Sequence, residues 1–197
     1  MSGPGRAAVG FFAHTGWATA VALSGTPDAP RVAARCRVEL WDDTDPQAYH
    51  QAAELDPGAA RELIARAEVL SRRKAVDSLQ AFFGGLDARP FAAVIAGGNA
   101  RIPADLAAVL RSHPLVHAAE GELFRRALAT ASAAADLRVQ VVPAREVHRR
   151  AAEALGLPAG ELSQRIAELG RAVGSPWGKE QKDCAAAAWL GLAGART

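Results

Sequence analysis

Apolar positions fall in short blocks over the first forty residues and then change to helical spacing. Arg6–Phe12 carries the run Ala-Ala-Val-Gly-Phe-Phe, and Trp17–Leu23 is a second run with β-branched members. His14-Thr15-Gly16 between them fits a tight hairpin connection. Gly25-Thr26-Pro27-Asp28 is a turn cluster. Arg31–Leu40 sets Val32, Cys36, Val38 and Leu40 against Arg31, Arg35, Arg37 and Glu39, the alternation of a strand with one wet face. The pattern predicts an opening meander of three strands.

Asp42–Pro46 is polar and turn-like, and residues 46–56 predict a short helix or loop. Gly58–Phe83 predicts a long helix closed by Gly84-Gly85. Phe91–Ala96 is apolar throughout, as a central strand should be, and Gly97-Gly98-Asn99 ends it. Pro103 is expected to open a helix to about Ser112, with another over His117–Asp136. Arg138–Val142 predicts a short strand stopped by Pro143. Helices are expected over Ala144–Leu155 and Glu161–Val173, then a break at Gly174-Ser175-Pro176. A final Ala-rich helix follows over Lys179–Ala193. The order β-β-β-α-β-α-β-α, with extra helices, predicts an α/β fold in which helices cover a mixed sheet, as a single domain over 1–197.

Composition narrows the function classes. Half of the 197 residues are apolar and 22% are charged, which excludes a mainly disordered or collagen-like chain. The net charge of +2 gives no global electrostatic footprint for nucleic acid, so any basic groove must come from local clusters. Arg72-Arg73-Lys74, Arg125-Arg126 and Arg149-Arg150 are such clusters; on separate helices they read most simply as solvated faces. Cys36 and Cys184 form neither a metal pattern nor a disulfide framework. With no leader-like or membrane-spanning run, a cytoplasmic protein that does not engage a membrane is expected.

The densest polar constellation is His113-Pro-Leu-Val-His117-Ala-Ala-Glu120-Gly-Glu122. Positions three apart share a helix face, so His117 and Glu120 point together, and Glu120 falls on the stripe of Leu123, Phe124, Ala127 and Leu128. An inward carboxylate is costly unless it is paired, protonated or metal-bound. Glu120 is therefore either a salt-bridge or His partner, or a site carboxylate, whereas Glu122 should face solvent. His113 precedes Pro114 and is expected in a loop or cap, and the spacing of His113, His117 and Glu120 is weak as a zinc motif. Asp183 also sits above an apolar stripe, Ala186, Ala187 and Leu190, with Lys179 four residues before it as a surface partner. His14 lies in the first hairpin, where a His is either a turn residue or a ligand. Trp177, just before the last helix, is a loop plug or a stacking platform for a base. His50 and His148 read as solvated groups.

Some of these segments resemble a known family. Val9-Gly10-Phe11-Phe12 followed by Thr15-Gly16-Trp17-Ala18 looks like the first hairpin of RuvC-type Holliday junction resolvases, and the element order is that of the ribonuclease H-like fold. Asp183 with Ala185–Ala188 and Leu190 is similar to that family's closing helix, where an Asp faces the site. Val141–Val147 looks like its late strand and loop. The resemblance also implies an Asp at the end of the first strand, where Phe11, Phe12 and Ala13 stand, and a Glu at the end of the fourth, where Gly97, Gly98 and Asn99 stand.

Two function classes follow. One is a Mg²⁺- or Mn²⁺-dependent nuclease or nucleic-acid phosphodiesterase with a rearranged site. Glu120 and Asp183 would hold the metal, and His14 would be a third ligand or position the attacking water. His113, His117, Lys179 and Trp177 would be accessory. The other is a catalytically inactive ribonuclease H-like module that binds nucleic acid or a partner protein; there Glu120 and Asp183 should be paired with Arg or Lys and bind no metal. A homodimer is a possible assembly, and an apolar surface patch large enough for one would support the second class; the Ala-rich last helix offers close packing in either case.

Overall fold

The computed structural model describes residues 5–42, 45–98 and 100–194. Three antiparallel strands open the chain: β1 (Gly5–Ala13), β2 (Trp17–Thr26) and β3 (Ala29–Glu39). Two more, β4 (Ala88–Ala96) and β5 (Arg138–Val142), join parallel to β1, giving one sheet in the order β3-β2-β1-β4-β5. The helices are α1 (Ala48–Ala53), α2 (Pro57–Gly84), α3 (Leu106–Leu110), α4 (His113–Ala134), α5 (Val147–Leu155), α6 (Ala159–Val173) and α7 (Lys179–Ala193), with a single 3₁₀ turn at Ala144–Glu146. The mixed sheet and helical layers are those the ribonuclease H-like resemblance implies.

Strand periodicity divides the core in two. Ala8 on β1, Val21 and Leu23 on β2, and Ala92, Val94 and Ala96 on β4 face a layer made by α5, α6 and α7. Val9, Phe11, Ala20, Ala93 and Ile95 face the other way, against α2 and α4. The small residues of α7 let its backbone lie almost on the sheet. At Gly10 an added Cβ would stand 1.9 Å from the carbonyl oxygen of Cys184. The close packing expected of the Ala-rich helix is made inside the fold, since Cys184 to Trp189 are all buried.

Local chemistry moved some boundaries. Asp105, not Pro103, starts α3, its carboxylate accepting the Ala107 N–H. α4 begins at His113 rather than His117. Pro114 falls in its first turn, where the missing N–H would have had no helical partner. The expected wet face of β3 is also revised. A register shift opposite Ala22/Leu23 puts Val32 and Cys36 on opposite faces of the sheet. Arg35 does not point into water; its guanidinium donates to the carbonyls of Val173, Gly174, Ser175 and Pro176 beyond α6, where a cation meets the negative end of a helix.

Candidate functional site

Two polar clusters lie on opposite sides of the sheet. The first is at the amino end of α7. This helix runs antiparallel to β1, so its first turns reach the carboxyl ends of the parallel strands: Gly10 abuts Cys184 and Ala188, whereas Ala8, further back on β1, abuts Gly191. Glu180 and Asp183, three apart, project from one side of these turns. Glu180 Oε2 accepts the Thr19 hydroxyl at 2.9 Å and lies 3.1 Å from His14 Nε2. The His14 ring stacks on Trp17, with centroids 4.0 Å apart and planes 14° from parallel. Arg37 covers Trp17, its Cζ 4.1 Å from the ring centroid.

Asp183 is buried, with 5% of its surface exposed. Its Oδ1 accepts from His148 Nε2 at 2.9 Å, and its Oδ2 from Lys179 Nζ. Burial alone would raise its pKa. Those two hydrogen bonds outweigh burial and hold the carboxyl below its ordinary value, so Asp183 is an anion with both oxygens engaged. At the end of β1, Phe12 packs against the core on the α7 side. At the end of β4, Gly97 and Gly98 lie against the Arg125 side chain, which pairs with Glu122 at 3.0 Å. Asn99 is outside the described residues.

The second cluster lies against α4. Glu120 is 2% exposed, and its Oε2 accepts the backbone N–H groups of Tyr49 and His50 at 3.0 and 3.4 Å and meets His50 Nδ1 at 3.1 Å. A carboxylate from another helix thus satisfies the open N–H groups in the first turn of α1, which has no side-chain cap of its own. Burial raises the Glu120 pKa in spite of these bonds. Beside it the rings of His50, His113 and His117 converge, each offering a nitrogen within 4.8 Å of the others. Centroids are 4.5 Å apart for His50 and His117, and 4.4 Å for His113 and His117. Desolvation and the two neighbouring rings lower the His117 pKa, which favours the neutral imidazole.

Of the residues expected to form one site, His14 and Asp183 come to the same helix end, with Lys179 beside Asp183. Glu120 does not join them. It belongs to the α2–α4 face and Asp183 to the α5–α7 face, so the two carboxylates cannot share an ion. His113 and His117 go with Glu120. Trp177 is a plug: its Nε1 donates to the Ile166 carbonyl at 3.1 Å, and its ring fills the space over Gly170. Glu122 is not simply solvated, since Arg125 and Arg126 both pair with it. His50 and His148, expected in solvent, hold the two buried carboxylates instead. Glu180 is missing from the sequence-based set, although its spacing of three from Asp183 puts both on one helix face. The roles of His50, His148 and Thr19 were not legible, because each meets its partner across more than thirty residues.

The fold has solved counterparts. RuvC of T. thermophilus in complex with a Holliday junction substrate superposes with a TM-score of 0.55 and 16% identity, over 97% of this chain and 95% of that one. A second structure of Thermus thermophilus RuvC gives 0.53 and 15%, over 96% and 95%. No protein-family model and no curated protein sequence matches the chain. The likeness establishes the ribonuclease H-like fold of the RuvC type. Among the described residues, no helix is long and apolar enough to cross a membrane.

Proposed function

We propose that this chain is a ribonuclease H-like module that binds structured nucleic acid without hydrolysing it by a two-metal route. The observation that carries the reading is the state of Asp183, the carboxylate that the resemblance places in the site. Lys179 and His148 already occupy it, one on each oxygen. Two Mg²⁺ ions about 3.5–4 Å apart need several hard oxygen ligands. Phe12 stands at the end of β1 and Gly97-Gly98 at the end of β4, so the described residues of this cluster do not fit such a pair.

The nucleic-acid part of the proposal rests on the fold and on the RuvC structure bound to a Holliday junction substrate, which makes branched DNA the first ligand to test. Lys179 is 83% exposed at the amino end of α7 and offers an ammonium to phosphate. A nuclease reading keeps one supporting observation, that Glu180 and Asp183 share a face at this end of the sheet.

Fluorescence anisotropy on four-way, duplex and single-stranded DNA in EDTA should show saturable, salt-sensitive binding that favours the junction. The same substrates should remain intact with Mg²⁺ or Mn²⁺. Calorimetric Mn²⁺ binding that is lost in Asp183→Ala, together with cleavage, would establish the nuclease instead. Absence of binding to every DNA and RNA form would leave the protein-partner role.

A further inference from the structure

The histidine cluster on the far side of the sheet makes a different kind of site. We propose that His50, His113 and His117 bind a zinc-class divalent transition metal, with Glu120 orienting His50 from behind. Four observations support this.

The first is convergence from separate elements. His113 and His117 are one turn apart on α4, and His50 arrives from α1, yet all three offer a nitrogen within 4.8 Å of one another. Zn–N bonds of about 2.0–2.1 Å in a tetrahedral site require nitrogens about 3.4 Å apart. The rings therefore have to close by little more than about 1 Å, and His113 and His117 are exposed and free to do so.

The second is the donor set. Three imidazoles are borderline ligands suited to zinc, copper or nickel and poorly suited to Mg²⁺, which prefers oxygen. With three protein ligands, a fourth position is left for solvent.

The third is the carboxylate behind the site. His50 Nδ1 lies 3.1 Å from Glu120 Oε2, and donation from this nitrogen to the carboxylate would leave Nε2 to take a metal. A ligating His whose other nitrogen donates to a carboxylate is the arrangement that fixes ring orientation and raises ligand basicity.

The fourth is cost. Glu120 is held almost fully buried, and its Oε1 has no hydrogen-bond partner among the described residues. An anion in that position gains a favourable field when a dication is bound one ring away. A bound metal would also tie α1 to the amino end of α4.

The test is titration of the whole chain with Zn²⁺ against a chromophoric chelator, and with Co²⁺ while following its visible bands. Wild type should bind one Zn²⁺ per chain and give the intense bands of a low-coordinate Co²⁺ site, and Mg²⁺ should not compete. His113→Gln and His117→Gln, both at exposed positions, should keep their far-UV circular dichroism and lose affinity by about 100-fold or more. Glu120→Gln, which retains the shape of the side chain, should lose about 10-fold. Asp183→Ala should bind as wild type does. Equal binding by the two His variants, or several weak ions per chain, would mean adventitious surface coordination and would overturn the proposal. Because the readout uses no nucleic acid and spares Asp183, it is independent of the reading of the α7 end.

Discussion

Gly10→Ala tests the seat of α7, on which the geometry of Glu180 and Asp183 depends. The added methyl carbon would stand 1.9 Å from the Cys184 carbonyl oxygen, 2.7 Å from the Ala188 nitrogen and 2.8 Å from the Cys184 carbonyl carbon. These are backbone atoms in the middle of a helix, so no rotamer change relieves the overlap. Recovering ordinary contact requires α7 to move off the sheet by about 1.5 Å, which opens voids along the Ala face. Overpacking of this kind costs about 1–3 kcal/mol, and the rigid neighbours place this case at the upper end. Removing a strand glycine returns about 0.5–1 kcal/mol through the unfolded chain, leaving a net loss of about 2 kcal/mol. Gly160→Ala is the control: nothing lies within 4 Å of its added carbon, and it sits in α6, so it should be neutral or stabilising. Urea unfolding of both variants beside wild type measures the difference. A Gly10→Ala protein within about 0.5 kcal/mol of wild type would show that α7 is not seated as described.

Three further outcomes concern the Lys179–Asp183 pair and the two thiols. Lys179→Ala should cost under about 1 kcal/mol, since the ammonium is mostly exposed and solvent screens it, whereas Asp183→Asn should cost about 1–3 kcal/mol by weakening both charge-assisted bonds. The Asp183 pKa is depressed on folding, so its contribution is present above the ordinary 3.8 and is lost as pH falls below it. The stability gap between wild type and Asp183→Asn should therefore shrink on acidification, and a gap unchanged from pH 6 to pH 3 in denaturant titrations would refute the pairing. Burial raises the Cys36 thiol to about 11 and holds the Cys184 thiol well above its ordinary value, so neither should react with an aromatic disulfide reagent at pH 8 until the chain unfolds. A fast native-state reaction would contradict this.

The elements of the fold were legible because their signals are local. The three opening strands, the long α2, the apolar β4 and the Ala-rich α7 follow from periodicity and from Gly and Pro punctuation, and α7 spans the expected residues. Errors came where a local rule met a neighbour it could not see. Pro114 argued against a helix at His113, yet a first-turn proline costs a helix nothing. The alternation in β3 suggested one wet face, yet a bulge exchanged the faces and Arg35 found four carbonyls on another element.

The site divides in the same way. Periodicity alone put Glu120 on an inward face and Asp183 above an apolar stripe, because the stripe on which a residue falls depends only on helical spacing. Which side of the sheet each helix covers is a matter of topology, and it separated the two. The partners that decide their chemistry, His50 for Glu120 and His148 and Lys179 for Asp183, are set by tertiary approach in all but the i−4 lysine. A buried carboxylate takes its charge state and its role from what lies within about 3 Å, and for this chain that distance is closed mostly by residues far away in sequence.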